Sequence, residues 1–278
     1  MIMRYSAAVV ALLLAFVVFG PVLINHDPLA ADPANQLKPP ALSHILGTDL
    51  LGRDVLSRYL HGGRHTLLSA FGATVFALGA GTCLGIAAGT GMGIAVSLLK
   101  AVLTGLLALP GVVIALVVLA ALGRGVIPLS LAIGLSQTAP TAVVIQAAVL
   151  TIRAQLYVEA AYALGASNNY ILFAHILPNI LPTLAAYGSA VFGYALLNGA
   201  ALTFLGVGAA PGTPDWGVML AEGRAVFRSA PWISIAPGLT ITVIVWAVNN
   251  LADSLNRQFR PDSITVRKTR TAPASYRA

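Results

Sequence analysis

Ser136, in the run GLSQ of an apolar tract, would be the nucleophile of an intramembrane hydrolase if a base stood within hydrogen-bond reach. The histidines, His26, His44, His61, His65 and His175, all fall outside the tracts predicted below to cross a membrane, so no base is evident at that depth. Phosphate chemistry fares no better. The stretch GTGMGIAVSLLK lacks the G-x-x-x-x-G-K-[ST] spacing whose amides cradle a nucleotide, so any ATP must be handled elsewhere. A single cysteine, Cys83, excludes a disulfide framework and a Cys/His metal site, and reads as a small packing residue. No residue set reads as metal ligands. Gln137, Gln146, Asn198, Asn249 and Asn250 are the polar side chains in or near the apolar tracts from which a passive channel would build a ring; packing is the simpler role for each.

The elements that carry these residues belong in a bilayer. Of 278 residues, 58% are hydrophobic and 9% charged, against roughly 25% charged in a soluble domain. A spanning helix needs about 20 apolar residues, and six windows supply them: Ser6 to Ile24, Leu67 to Ala88, Ala101 to Leu122, Ile127 to Ile152, Pro182 to Val207 and Trp232 to Leu251. They are solid apolar runs without the alternation of a barrel wall, so the fold class is all-α. The first run is expected to stay as an anchor and not to be cleaved, because the A-x-A-like site near Ala30 follows charged Asp27 and Pro28. Basic residues form no aromatic-interleaved stripe, which argues against nucleic acid. Many of them, Arg257, Arg260, Arg267, Lys268, Arg270 and Arg277, gather in a tail suited to an anionic cytoplasmic leaflet. With both termini inside, the inner side holds nine basic residues and the outer side seven, a small bias in the expected sense.

Gly81, Gly85, Gly89 and Gly93 recur every four residues, which puts them on one face as far as the helix persists; Ala185, Ser189 and Gly193 repeat the device. Such faces let helix backbones approach closely where lipid gives no hydrophobic drive. Between the first two windows, Asn25 to His65 begins with four prolines. There Asp49 is expected to cap a short amphipathic helix, with Leu51, Val55, Leu56, Tyr59 and Leu60 on its apolar side, lying on the outer surface. Arg153 to Pro182 is the most informative interval. Leu156 to Leu164 favours helix, Gly165 permits the left-handed turn that ends it, Ser167 can cap a second short helix from Asn168 to about His175, and Pro178 limits its continuation. This helix, turn, helix elbow exposes Tyr170, Leu172 and Phe173 and is shaped to dock on a soluble partner.

Glu159, Ala160 and Ala161, then Gly165, then Ile176, Leu177 and Pro178 resemble the EAA signature of bacterial ABC-importer permeases. Further segments resemble one branch of these, the dipeptide, oligopeptide and nickel permeases. They are GTDLLGRDVLSR with Gly47, Thr48, Asp49, Gly52, Arg53 and Asp54, YVEAAYALGAS, HILPN, TFLGVG, PDWGVMLAEGR and APW. The similarity runs from about His44 to Pro261, and within that branch the chain resembles the C-type member, which pairs with a homologous B-type permease. It implies a type I ABC-importer permease fold of six transmembrane helices with both termini cytoplasmic, in a bacterial cell membrane. Residues 1–65 would form the anchor and external segment, 66–256 the core with its cytoplasmic elbow at about 153–182, and 257–278 the basic tail.

Two ATP-binding subunits would hold ATP and Mg, this chain carrying no cofactor, while an extracytoplasmic binding protein delivers cargo and the permease pair works by alternating access. Glu159, Ala160, Ala161 and Gly165 would position the elbow, and Ala166, Ser167, Asn168, Asn169, Tyr170, Phe173, His175 and Pro178 would serve its contact with the ATPase. Short peptides are the expected cargo, with a nickel or other metal chelate, or haem, as alternatives. The chain departs from the pattern at Tyr162, where many relatives have arginine, and at Gly199, where many have glutamate. It also has no acidic residue from Met92 to Pro110.

Overall fold

The computed structural model describes residues 26–259 together with 15, 19–21 and 24, with side chains to Ser254. The expected first span, Ser6 to Ile24, and the tail from Arg260 onward lie outside the described residues for the most part and entirely, respectively. Among the described residues the chain is mostly helical, and strand pairing is limited to two isolated bridges. The helices are α1 (Val55–Thr90), α2 (Ile94–Leu107), α3 (Gly111–Leu122), α4 (Val126–Arg153), α5 (Leu156–Ala163), α6 (Asn168–Phe204), α7 (Trp216–Ala225) and α8 (Trp232–Phe259). Four of them, α1, α4, α6 and α8, are long and apolar enough to cross a membrane, and α2 with α3 makes a fifth candidate if the bent pair counts as one span.

α1 and α4 lie side by side and run in the same direction. Ser69 meets Ser130, Gly81 meets Thr141, Gly85 meets Ile145 and Gly89 meets Val149 in register. A β-carbon on Gly85 would fall 2.6 Å from the Ala142 carbonyl oxygen, and one on Gly81 2.5 Å from the Thr141 β-carbon, so both backbones are already at closest approach. Gly93 does not share this face: α1 ends at Thr90, and Gly93 stands at φ +95° before α2 with nothing near it. α6 runs antiparallel to both, Gly188 against Leu78 and Gly199 against Ile133. α8 returns beside α6, where Gly193 meets Asn249, and Tyr59 of α1 bonds Thr240. The ends of α1 and α4, the elbow and the end of α8 therefore share one end of the bundle. The segment before α1, the start of α4 and α7 share the other.

Three expectations change. The window Ala101 to Leu122 is not one helix, because the chain turns by 95° between α2 and α3. Pro110 lacks a backbone donor and disfavours helical geometry at Leu109, so the bend falls there. Asp49 caps no helix: α1 starts at Val55 under Asp54, which accepts from the Ser57 amide, and runs unbroken through residues 65 and 66 to Thr90. The predicted surface helix is thus the first three turns of α1, with Val55, Tyr59 and Leu60 buried. Cys83 is exposed on α1 and not packed.

Because α1 and α4 touch through their backbones, Gly85→Leu should cost about 1–3 kcal/mol and Gly79→Ala, where an added β-carbon meets nothing within 4 Å, much less. Thermal unfolding of the purified protein in detergent would check this; equal melting points would show that the close approach carries no stability.

Candidate functional site

Two constructions stand at opposite ends of the bundle. At the first, α5 leaves α4 after a two-residue link and stops at Gly165, whose φ of +83° is a left-handed value that side chains strain to adopt. The Ala166 amide donates to the Ala161 carbonyl and the Gly165 amide to that of Tyr162, closing the turn. The Ser167 hydroxyl then accepts from the Tyr170 amide and caps α6. Under the elbow, Val158 packs with Ile145, Val149, Ile171, Ile176 and Ile180, so its floor is continuous with α4 and α6. Its outer surface shows Tyr170 and Phe173, and Asn168 and Asn169 are exposed beside them, while Leu172 is half-buried against that floor. Glu159, Ala160 and Leu164 are exposed as well.

The second arm is not a separate short helix. Ile171–Ile176 is a π-helical stretch inside α6, and the chain passes through Pro178 to Phe204 without a break. Pro178 follows directly on this stretch: the Leu177 amide is bonded to the Leu172 carbonyl five residues back, and the helix continues past the proline with one donor missing.

Sequence reasoning missed Arg153 as a joint. Its guanidinium, at the last residue of α4, donates at 2.7 Å to the Gly89 carbonyl and also to that of Thr90. These are carbonyls of the last turn of α1, which have no helical partner and face a cation well. The only sequence signal was a basic residue closing an apolar tract.

At the other end, the GTDLLGRD segment folds back on itself. Gly47 and Gly52 hold φ of +71° and +75°, and a β-carbon on Gly52 would lie 1.8 Å from the Asp32 carbonyl oxygen, so glycine is required there. Thr48, fully buried, accepts from the Lys38 amide and bonds the Asn35 carbonyl, and its own carbonyl accepts from the Trp232 indole. Asp54 caps α1 and bonds His44.

Asp49 accepts from the amides of Leu51 and Arg53, from Arg53 Nε at 2.7 Å and from Arg58. Arg53 and Arg58 also reach Glu222 of α7. Two buried guanidiniums thus sit between two carboxylates and tie the segment before α1 to α7. Spacing foretold nothing of Glu222 or Arg58 as partners, since they are 164 residues apart in sequence. Asp215, at the same end of the bundle, caps α7 and accepts from Thr66; burial pushes its carboxyl above the ordinary carboxylate range, and these hydrogen bonds pull it back in part.

In the apolar tracts, the Ser136 hydroxyl is spent on the Ile133 carbonyl, and the amides of Asn198 and Asn250 donate to carbonyls one turn back. Ser189 donates to Ala185 in the same way. Gly188, one residue away, lies against Leu78 of α1, and Ala185, Gly188 and Ser189 together face Phe71, Thr74 and Leu78 across a cavity.

Residues 81–264 match a family model described as binding-protein-dependent transport system inner membrane component. The chain is 36% identical to the di/tripeptide transport system permease protein DppC of Pseudomonas aeruginosa, covering 87% of this chain and 82% of that one. It is 33% identical to the dipeptide transport system permease protein DppC of Alkalihalophilus pseudofirmus, over 88% and 80%. With the glutathione transport system permease protein GsiD of Escherichia coli it shares 34% identity over 92% and 85%.

The charge cluster yields its own expectation. Replacing Asp49 by Asn removes one charge from between two buried guanidiniums, and should destabilise by about 3–5 kcal/mol. Glu222→Gln, at a more open position, should cost clearly less. Melting temperatures of the two variants in detergent check the order.

Proposed function

The chain belongs to the family of binding-protein-dependent transport system inner membrane components, and from that premise we propose that it is one of two permease subunits of an ATP-driven importer of short peptides. It is a multi-pass membrane protein of the bacterial cell membrane, with a sixth span at Ser6 to Ile24, both termini on the cytoplasmic side and the type I permease fold. A homologous permease completes the translocation path. Two ATPase subunits bind ATP and Mg and hydrolyse it, and an extracytoplasmic binding protein hands over the cargo. Peptides are preferred over metal chelates or haem because the relatives named above are dipeptide, di/tripeptide and glutathione permeases.

The observation that supports the reading most is the elbow itself. It projects from one end of the bundle, exposes Tyr170 and Phe173, and stands on a floor shared by α4 and α6. A push on α5 therefore reaches α4 through Val158 and reaches α1 through Arg153. ATP-driven approach of the two ATPases would move two such elbows together and rock the spans between inward-open and outward-open states. Glu159, Ala160, Ala161 and Gly165 set the elbow's shape, and the exposed Asn168, Asn169, Tyr170 and Phe173 face the ATPase.

Nothing lies within 4 Å of a β-carbon placed on Gly165, so a substitution there acts through φ and docking and not through an internal clash. Asn tolerates left-handed φ and a β-branched residue does not. Gly165→Val should lower ATP-driven uptake of a labelled dipeptide into proteoliposomes by roughly tenfold, the equivalent of about 1.4 kcal/mol, and Gly165→Asn by less. Mass spectrometry of what copurifies with the tagged chain from its host should recover ATPases, a second permease and a binding protein. Recovery of the chain alone, under conditions that preserve a known transporter complex, would refute the importer reading.

A further inference from the structure

The π-helical stretch of α6 sets three aromatic rings in contact. Tyr170 and His175 are five residues apart, and on an α-helix of 3.6 residues per turn that spacing leaves side chains roughly 140° apart around the axis. The i to i+5 repeat of a π-helix brings such residues nearly one above the other. Here the Tyr170 and His175 rings lie edge to face with centroids 5.6 Å apart. The same His175 ring also meets Tyr157 of α5 at 5.7 Å and 64°. Asn179, one turn on, donates to the His175 carbonyl at 2.6 Å and to the Tyr157 hydroxyl at 3.4 Å. His175 is therefore the middle ring of a bracket that joins the two arms of the elbow across the Gly165 turn. Its ring nitrogens have no hydrogen-bond partner among the described residues.

We propose that His175 is a positioning residue, whose ring holds α5 against the start of α6 so that the elbow turns as one rigid body, and that the π-helical stretch exists to bring that ring into register. The inference rests on the importer reading for its functional consequence. It assigns His175 an internal role, in place of direct contact with an ATPase. Without the bracket the arms are joined only by the turn and the aliphatic floor, and motion imposed on α5 is partly lost before it reaches α6. The function belongs to the ring's face and edge and not to its proton, which separates this role from a hydrogen-bonding or titrating histidine.

The test uses the complete complex of both permeases and the ATPases in liposomes, with its binding protein and tritiated L-alanyl-L-alanine. His175→Ala and His175→Gln should lower uptake per ATP hydrolysed by roughly three- to tenfold and speed amide hydrogen exchange over residues 156–176. His175→Phe should restore both. Restoration by Gln and not by Phe, equal defects in Ala and Phe, or wild-type behaviour of the Ala variant would each overturn the proposal. A wild-type complex that takes up no peptide would sink the importer reading instead; hydrogen exchange in the same variants would then still decide whether the ring holds the elbow.

Discussion

The close approach of α1 to α4 through Gly81, Gly85 and Gly89 is the contact on which both ends of the molecule depend. In lipid, association draws on van der Waals packing and not on the expulsion of water, so the absence of three β-carbons is what makes the interface. It sets the register of two long helices in the same direction. At the elbow end, that register places the last carbonyls of α1 within reach of Arg153, one turn beyond the Gly89 to Val149 contact. At the other end it presents Thr66 to Asp215 and so seats the start of α7. A shift of one turn along this interface would break both joints at once.

Charge is arranged to respect the same constraint. The buried cluster of Asp49, Arg53, Arg58 and Glu222 is neutral in sum and lies before and at the start of α1, not along its apolar length. Burying the ionised Asp49, Arg53 and Arg58 is costly, and such a cluster is a weak source of stability compared with apolar packing. What it supplies is a fixed relation between parts distant in sequence. Each guanidinium touches one carboxylate from the segment before α1 and one from α7, so neither element can move without the other. The two ends are thus built on different principles: salt bridges between remote segments at one, aliphatic packing under a short turn at the other.

Much of this was legible in the residues. Charge-free windows located α1, α4, α6 and α8, and the spacing of Gly165 and Ser167 gave the elbow's turn and cap, because both signals are local. The bend at Pro110 was missed although the proline was visible, since the apolar tract continued on both sides and length outweighed one missing donor. The start of α1 was misplaced because Asp49 was read as the cap: Asp54 serves instead, while Asp49 is held by Arg53 and Arg58 in an ion cluster completed by Glu222 from far along the chain. The π-helical stretch has no composition of its own, so the bracket around His175 was out of reach of periodicity.

The bend between α2 and α3 also bears on the partner permease proposed above. A β-carbon on Gly111, the first residue of α3, would lie 3.1 Å from the Tyr194 hydroxyl and 3.7 Å from the Ser136 β-carbon. Ser136 is ten residues into α4, or about 15 Å at 1.5 Å per residue, which is half of a hydrocarbon core of about 30 Å. The turn from Ala108 to Pro110 is exposed on this chain. Backbone freed from helical hydrogen bonding is not tolerated against lipid and needs protein or water beside it. In the importer proposed above, a second permease enclosing an aqueous path would supply both kinds of cover to the exposed turn.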